Sequence, residues 1–212
     1  FGGAARERFF DRFVGGQHGA RRQPELLDGL ALGERIVSYA FVVDEPRGKL
    51  GELCVRGYSV MLGYWEDNDK TGEVIDVAKW MHTGDIAEMD NDGFVKIKGR
   101  IKDVVIRGGE NLFPKEIEDF LYTHPDVSDV QVIGLPDARY GEELCACIIL
   151  HDHHQSSEEE IRRYCAEHIS HNKVPRYVRF FTEFPMTASG KAQKFKLQEF
   201  MRQELNLLED IA

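Results

Sequence analysis

The sequence has no run of apolar residues approaching the ~20 needed to cross a bilayer. It also has no excess of positive charge: 27 basic residues stand against 37 acidic ones, a net charge of −10 over 212 residues. Nucleic-acid binding asks for a basic face, so this balance argues against it as the main role, while local basic clusters can still hold small phosphorylated ligands. Cysteine is scarce and unpatterned. Cys54, Cys145, Cys147 and Cys165 form no CxxC pair and no evenly spaced framework. Cys145 and Cys147 stand two apart in "EELCACIIL", a strand-like run, and there both face one side as small core residues. A reducing compartment fits that usage. There is no internal repeat, and no serine–histidine–aspartate arrangement stands out. The opening "FGGAARERFFDRFVGGQHGARR" mixes arginines with Glu7 and Asp11 and lacks the apolar stretch of a signal peptide. With Phe1 at the start, the chain is read as a fragment or a processed form.

What is present is a soluble, globular composition, 42% hydrophobic and 30% charged, long enough for one large or two small cores. Residues 1–35 are glycine- and arginine-rich and are expected to be irregular. From "YAFVVDEPRGKLGELCVRGYSVMLGYW" onward, short apolar runs alternate with glycine and proline, a strand-and-turn signal. "DNDKTGEVID" suggests a short helix, and "HTGDIAEMDNDGFVKIKGR" a hairpin around Asn91-Asp92-Gly93. Past Arg100 the pattern turns mixed. "PKEIEDFLYTHP" places Ile117, Phe120 and Leu121 on one helical face, with Pro114 in the first turn. "DVQVIGLP", "ELCACIIL" and "YVRFFTEF" read as strands. In "SSEEEIRRYCAEHIS", Ser157 and Glu160 make a capping box, and Ile161, Tyr164, Cys165, His168 and Ile169 form an inward stripe. A last helix, "KFKLQEFMRQELNLL", turns Leu197, Phe200, Met201 and Leu205 inward. The expected fold class is α+β: a β-rich stretch over residues 36–99, then a small α+β domain over residues 100–212.

Three segments could carry chemistry, and each has a plainer reading. In "PMTASGKAQKFK", Lys191 follows Gly190 just before a helix, so a mobile ammonium could reach into a separate site. Pro185 and Ala192 break the pattern of a nucleotide P-loop there, and an ordinary surface lysine is the plainer alternative. In "HTGDIAEMD", Asp85 could accept two hydrogen bonds from a sugar diol, or simply bond its own turn. In "GRIKDVVIRGGEN", Gly108 and Gly109 allow close approach of a ligand or another chain, with Arg100, Lys102 and Arg107 supplying charge. The alternative is a positive-φ loop among solvated cations. "HDHH" at 151–154 lacks metal-ligand spacing on a regular element and reads as a solvated loop.

Taken together, "GELCVRGYSVMLGYW", "WMHTGD", "GRIKDVVIRGGENLFPKEIE" and "PMTASGK" occur in the order and spacing of the adenylate-forming superfamily. The match spans about residues 48–205, and its wording is most similar to the acyl-CoA synthetases, in particular the mitochondrial medium-chain family. The resemblance implies two steps. A fatty acid carboxylate attacks the α-phosphate of ATP, which enters with Mg2+, to give acyl-adenylate and pyrophosphate. The thiol of coenzyme A then displaces AMP. It implies a small C-terminal domain that acts as a lid and turns between the steps. By position, Asp85 resembles the aspartate that binds the ribose hydroxyls, and Arg100 a second nucleotide contact. Lys102 falls at the hinge, where aspartate is common and lysine also occurs. Gly108 and Gly109 resemble the loop lining the pantetheine tunnel, and Lys191 the catalytic lysine of the first step. An ammonium ~4 Å from an anion at an effective dielectric near 20 is attracted by about 4 kcal/mol, enough to matter for rate. Nothing here resembles the phosphate loop, the adenine pocket or the acid channel, and Met81 stands where an aromatic residue is frequent. The chain is therefore expected to hold the lid, the hinge and one edge of the active site, and to be inactive alone. A non-catalytic lid-domain protein that binds nucleotide, coenzyme A or a partner chain is the alternative. The resemblance implies a mitochondrial location, with the cytoplasm as the alternative.

Overall fold

The computed structural model describes Ser38–Val42 as backbone, residues 46–153 and residues 155–207. The expectation for residues 1–35 lies outside the described residues, as does His154 of the "HDHH" run. The chain divides into two compact units, the first ending at Ile97 and the second beginning at Lys98.

The first unit is built on an antiparallel sheet in the order β1-β2-β3-β4. Its strands are β1 (Ser38–Val42), β2 (Leu50–Gly57), β3 (Met81–Met89) and β4 (Val95–Arg100), the last of which runs on into the second unit. A short helix, α1 (Asn68–Val74), starts where the Asp67 side chain accepts the Lys70 backbone N–H. The β3–β4 turn is closed by Asp90, whose carboxylate accepts the N–H groups of Asp92 and Phe94, and Gly93 takes φ +90°. These are the helix and the hairpin that the sequence suggests.

The second unit has one five-stranded sheet between two helical layers. Its elements are β5 (Val105–Arg107), β6 (Glu110–Leu112), α2 (Pro114–Leu121), β7 (Val127–Asp137), β8 (Gly141–Leu150), α3 (Glu158–His168), β9 (Tyr177–Phe180) and α4 (Lys194–Glu204). The sheet order is β6-β5-β8-β7, with β9 also paired to β8. Strand β7 pairs with β8 from Val127↔Leu150 to Asp137↔Gly141. Parallel β9 joins β8 at Cys145–Ile148. Alternation along β8 splits the core in two. Leu144, Ala146 and Ile148 pack with Ile117 and Leu121 of α2 and with Ile161 and Cys165 of α3. Cys145 and Cys147 pack on the other face with Leu197 and Met201 of α4. All four cysteines are buried. The fold is α+β, as expected, and no helix among the described residues is long and apolar enough to cross a membrane.

Two residues of the expected inward stripes depart from them. Phe200 is 51% exposed, because Leu197 and Met201, one turn apart, already fill the α4 interface; it rests edge-on against Phe181 at 5.6 Å. His168 is exposed in the last turn of α3, where its ring nitrogen Nδ1 lies 2.8 Å from the Tyr164 carbonyl. "YVRFFTEF" is a strand only over Tyr177–Phe180.

The capping box is formed in full. The Ser157 hydroxyl accepts the Glu160 N–H, and the Glu160 carboxylate accepts the Ser157 N–H. Ser157→Ala should lower the stability of the second unit by about 1 kcal/mol, read from urea unfolding. Truncating Leu144, fully buried between β7 and α3, should remove about 2–5 kcal/mol in the same assay.

Candidate active site

Asp85 lies within β3 and not at its start. Strand pairing runs Glu52↔Ile86 and then Cys54↔His82, so Thr83, Gly84 and Asp85 together stand opposite Leu53. Such a bulge bends the strand and re-aims a side chain. Three contacts brace it. The Thr83 hydroxyl donates to the Leu53 carbonyl at 2.7 Å and accepts the Asp85 N–H at 3.1 Å. One oxygen of the Glu52 carboxylate accepts the Gly84 N–H at 3.0 Å. The other lies 2.8 Å from His82 Nδ1. Gly84 takes φ +72°, a region that an L side chain rarely adopts.

Glu52, Cys54 and His82 place ligand-type atoms within 4.8 Å of one another. The 2.8 Å between His82 Nδ1 and Glu52 Oε2 is hydrogen-bond spacing, closer than the ~3.3 Å between ligands set tetrahedrally around zinc at 2.0–2.1 Å. With Cys54 Sγ 3.3 Å from the same nitrogen, the cluster acts as the brace behind the bulge.

In the second unit, Arg100 is the exposed last residue of β4, with φ −111° and ψ 142°. Lys102 is the exposed middle residue of a single 3-10 turn, Ile101–Asp103, after which Val104 returns to extended backbone. The direction of the chain therefore changes at Lys102 over very few torsions.

Gly108 and Gly109 form the two-residue turn of the β5–β6 hairpin, closed by the pair Arg107↔Glu110. Their φ values are +59° and +86°, and a two-residue turn with both φ positive matches the twist of the flanking strands. The Gly108 N–H donates to the Tyr140 carbonyl at 2.8 Å. A Cβ on Gly108 would sit 3.4 Å from the Tyr140 ring.

Lys191 sits at the exposed tip of a second turn, clamped by the bridge Met186↔Ala192. Thr187 holds that turn. Its carbonyl accepts the Gly190 N–H, its hydroxyl accepts the Lys191 N–H, and its own N–H donates to the Lys191 carbonyl. Gly190 takes φ +76°. Just beyond, the Lys194 ammonium donates to Glu118 of α2 and to the Val132 carbonyl of β7. The lysine turn is thus carried by a helix whose first residue is pinned to the sheet.

The pairings among these groups are not legible in the motifs. Glu52 meets His82 and Gly84 across 30 and 32 residues, Glu118 meets Lys194 across 76, and Glu143 meets Arg107 across 36. Arg107 is corrected: it is not one more solvated cation. Its Nε donates to Glu143 at 2.8 Å and its guanidinium stacks 4.6 Å from the Tyr140 ring centre. The hydrogen bond to Glu143 is the main reason its pKa is raised above the ordinary guanidinium value. One signal for this exists in "GEELCACIIL": Glu143 is in phase with Cys145 and Cys147, a charge on a core face.

Residues 116–191 match the family of AMP-binding enzyme C-terminal domains. The chain carries that C-terminal domain. Among curated relatives, the mitochondrial medium-chain acyl-CoA ligase ACSF2 of Macaca fascicularis is 58% identical over 157 residues, covering 74% of this chain and 25% of the relative. ATP-bound MatB from Rhodopseudomonas palustris superposes with a TM-score of 0.74 at 33% identity, over 79% of this chain and 35% of that one. The anthranilate CoA ligase AuaEII with anthranoyl-AMP gives 0.72 at 33% identity, over 80% and 34%. The chain spans about a quarter of the length of the curated relatives. Within the AMP-binding C-terminal domain, Lys191 is the last residue matched, and Glu118, Tyr140 and Glu143 fall inside the match.

Two outcomes test this geometry. Gly84→Ala meets open space, so its effect comes only from φ +72°; a loss of about 1 kcal/mol is expected by calorimetry. Asp137, the last residue of β7, is held below the usual carboxylate range, chiefly by the Tyr140 N–H and further by the Arg139 N–H and Arg176. A lowered folded-state pKa gives stability that is present above the ordinary value, ~3.9, and lost as pH falls through the folded value. Melts from pH 6 downward should show a loss below about pH 4 that Asp137→Asn lacks.

Proposed function

We propose that this chain is the C-terminal portion of an ATP-dependent acyl-CoA ligase, with medium-chain fatty acids as its substrates. The observation that carries the reading is the lysine turn. Lys191 extends from a rigid, glycine-jointed tip, anchored at Lys194, with its ammonium exposed. In the first half-reaction a fatty acid carboxylate attacks the α-phosphate of MgATP, forming an acyl–phosphate bond and releasing pyrophosphate. Lys191 bridges the two anions as they meet, an electrostatic role that grows as charge shifts in the transition state. Asp85, aimed by its bulge, accepts hydrogen bonds from the ribose diol, and Arg100 makes a further nucleotide contact. In the second half-reaction the thiol of coenzyme A attacks the acyl carbon and AMP leaves. Lys191 would obstruct that approach. A turn of the domain at Lys102 withdraws it and brings the Gly108–Gly109 hairpin to the pantetheine. A few torsions suffice for such a hinge, and the change of direction at Ile101–Asp103 supports placing it there.

The division proposed is a β-rich portion of the AMP-binding domain over residues 36–99 and the lid over residues 100–212; the compact units meeting at Ile97 and Lys98 support it. The mitochondrial naming of the relatives supports a mitochondrial location for the whole protein. The chain alone, a quarter of the relatives' length, should not catalyse adenylation.

The test joins this chain to the N-terminal three quarters of the M. fascicularis ligase in one polypeptide. Lys191→Ala should reduce acid-dependent ATP–pyrophosphate exchange by about 10²–10³-fold. Thioester formation from supplied acyl-adenylate should stay within a few-fold of the unsubstituted chimera. Equal loss in both steps would show that Lys191 is not used in this way. A chimera that performs neither step would favour a non-catalytic protein that binds nucleotide or coenzyme A.

A further inference from the structure

Glu143 is the buried charged residue of the described core, at 1% exposure. Retaining a carboxylate there, paired with Arg107, is not explained by stability: a buried ion pair replaced by well-packed apolar side chains is often neutral or more stable, whereas removing one partner is strongly destabilising. What such a pair does supply is a fixed geometry, and here that geometry converges on one turn.

The β5–β6 hairpin has three residues per strand, too few to be stable as an isolated unit. Its base is held in the core by Val105 and Leu112, both buried. Its tip is a different matter. Strand β5 meets β8 through one paired position, Arg107↔Gly141, so the backbone ladder alone leaves the tip free to pivot. Side chains and one carbonyl from the start of β8 close that freedom. Glu143 takes the Arg107 Nε–H at 2.8 Å, the Tyr140 ring lies 4.6 Å from the Arg107 guanidinium, and the Tyr140 carbonyl takes the Gly108 N–H at 2.8 Å. Glu142 adds a bond from the Ile106 N–H at 2.6 Å. Tyr140 is itself fixed by the Asp137 carboxylate, which accepts its N–H at 2.8 Å. These contacts of Ile106, Arg107 and Gly108 all lead back to residues 137–143, while Glu110, across the turn, accepts from the Asn172 side-chain amide.

We propose that Glu143 is a positioning residue for thioester formation: through Arg107 and Tyr140 it sets the orientation of the Gly108–Gly109 turn against the pantetheine arm of coenzyme A, and it has no part in adenylation. The inference rests on the function proposed above. The chemistry suits it. A pantetheine arm is uncharged and flexible, and a glycine turn offers it close approach to the backbone, with no charge to attract it. Position is then the main thing the protein can supply, and misplacing the turn by an ångström weakens the second step alone.

The test has two arms. On this chain, backbone amide exchange followed by NMR should show protection at Gly108 falling at least tenfold in Glu143→Gln. The change should be confined to residues 105–112, with α2, α3 and the β7–β8 ladder unaffected. Unchanged exchange at Gly108, or loosening spread through the sheet, would overturn the positioning role whatever the protein does. In the chimera, Glu143→Gln should raise KM for coenzyme A about tenfold and leave acid-dependent ATP–pyrophosphate exchange within twofold. Arg107→Lys, which keeps the charge but not the planar stack on Tyr140, should fall between. Equal loss in both half-reactions would overturn the proposal as a merely structural effect. If Glu143→Gln does not fold, Tyr140→Leu, at a half-buried position, reads the same contacts and must give the same split. A chimera with no coenzyme A-dependent step at all would reject the functional reading, while the exchange arm still decides whether Glu143 sets the turn.

Discussion

A β-strand has two hydrogen-bonding edges, and in the second unit three strands need those of β8. One edge is taken along its full length by β7. The other is divided: Gly141 pairs with β5, and Cys145–Ile148 with β9. The rest of the domain follows from this division. Parallel β9 must be reached by a crossover, which α3 provides on one face, and α4 then returns across the other. Because β5 is left a single position at the end of β8, the glycine hairpin projects from the sheet and is steered by side chains instead of a ladder.

The candidate functional groups share one mode of construction. Each sits at a tight local device: a bulge for Asp85, a single 3-10 turn for Lys102, a two-glycine hairpin turn for Gly108 and Gly109, and a threonine-clamped loop for Lys191. Three of the four, all but the 3-10 turn, are then tied to a rigid strand or helix by a carboxylate. Glu52 receives the Gly84 N–H, Glu143 the Arg107 guanidinium, and Glu118 the Lys194 ammonium. Such tips combine exposure to ligand with a fixed base, the property that puts binding and catalytic residues on loops carried by a scaffold.

The elements legible in advance were those whose signal is local. The Ser157–Glu160 box, the Ile117–Leu121 stripe and the shared face of Cys145 and Cys147 each depend on spacing within a few residues, and the described structure contains all three. Phe200 and His168 had the right spacing and are nevertheless exposed, because a helix of eleven residues has room for little more than one turn-to-turn pair against a sheet already covered. Arg107 was legible as a charge but not as the partner of a buried carboxylate, since Glu143 is 36 residues away in the chain.

The sequence by itself determined the chemistry available, namely an aspartate able to accept two hydrogen bonds, a glycine turn and a lysine after glycine, because residue type and positive-φ demand are written locally. It also determined periodicity, and with it which faces are apolar. Only the tertiary structure decided what stands behind each group. Hydrogen-bond acceptors for Gly84, Arg107 and Lys194 come from other strands and helices, and a pairing that closes over tens of residues leaves no mark in the spacing of either partner.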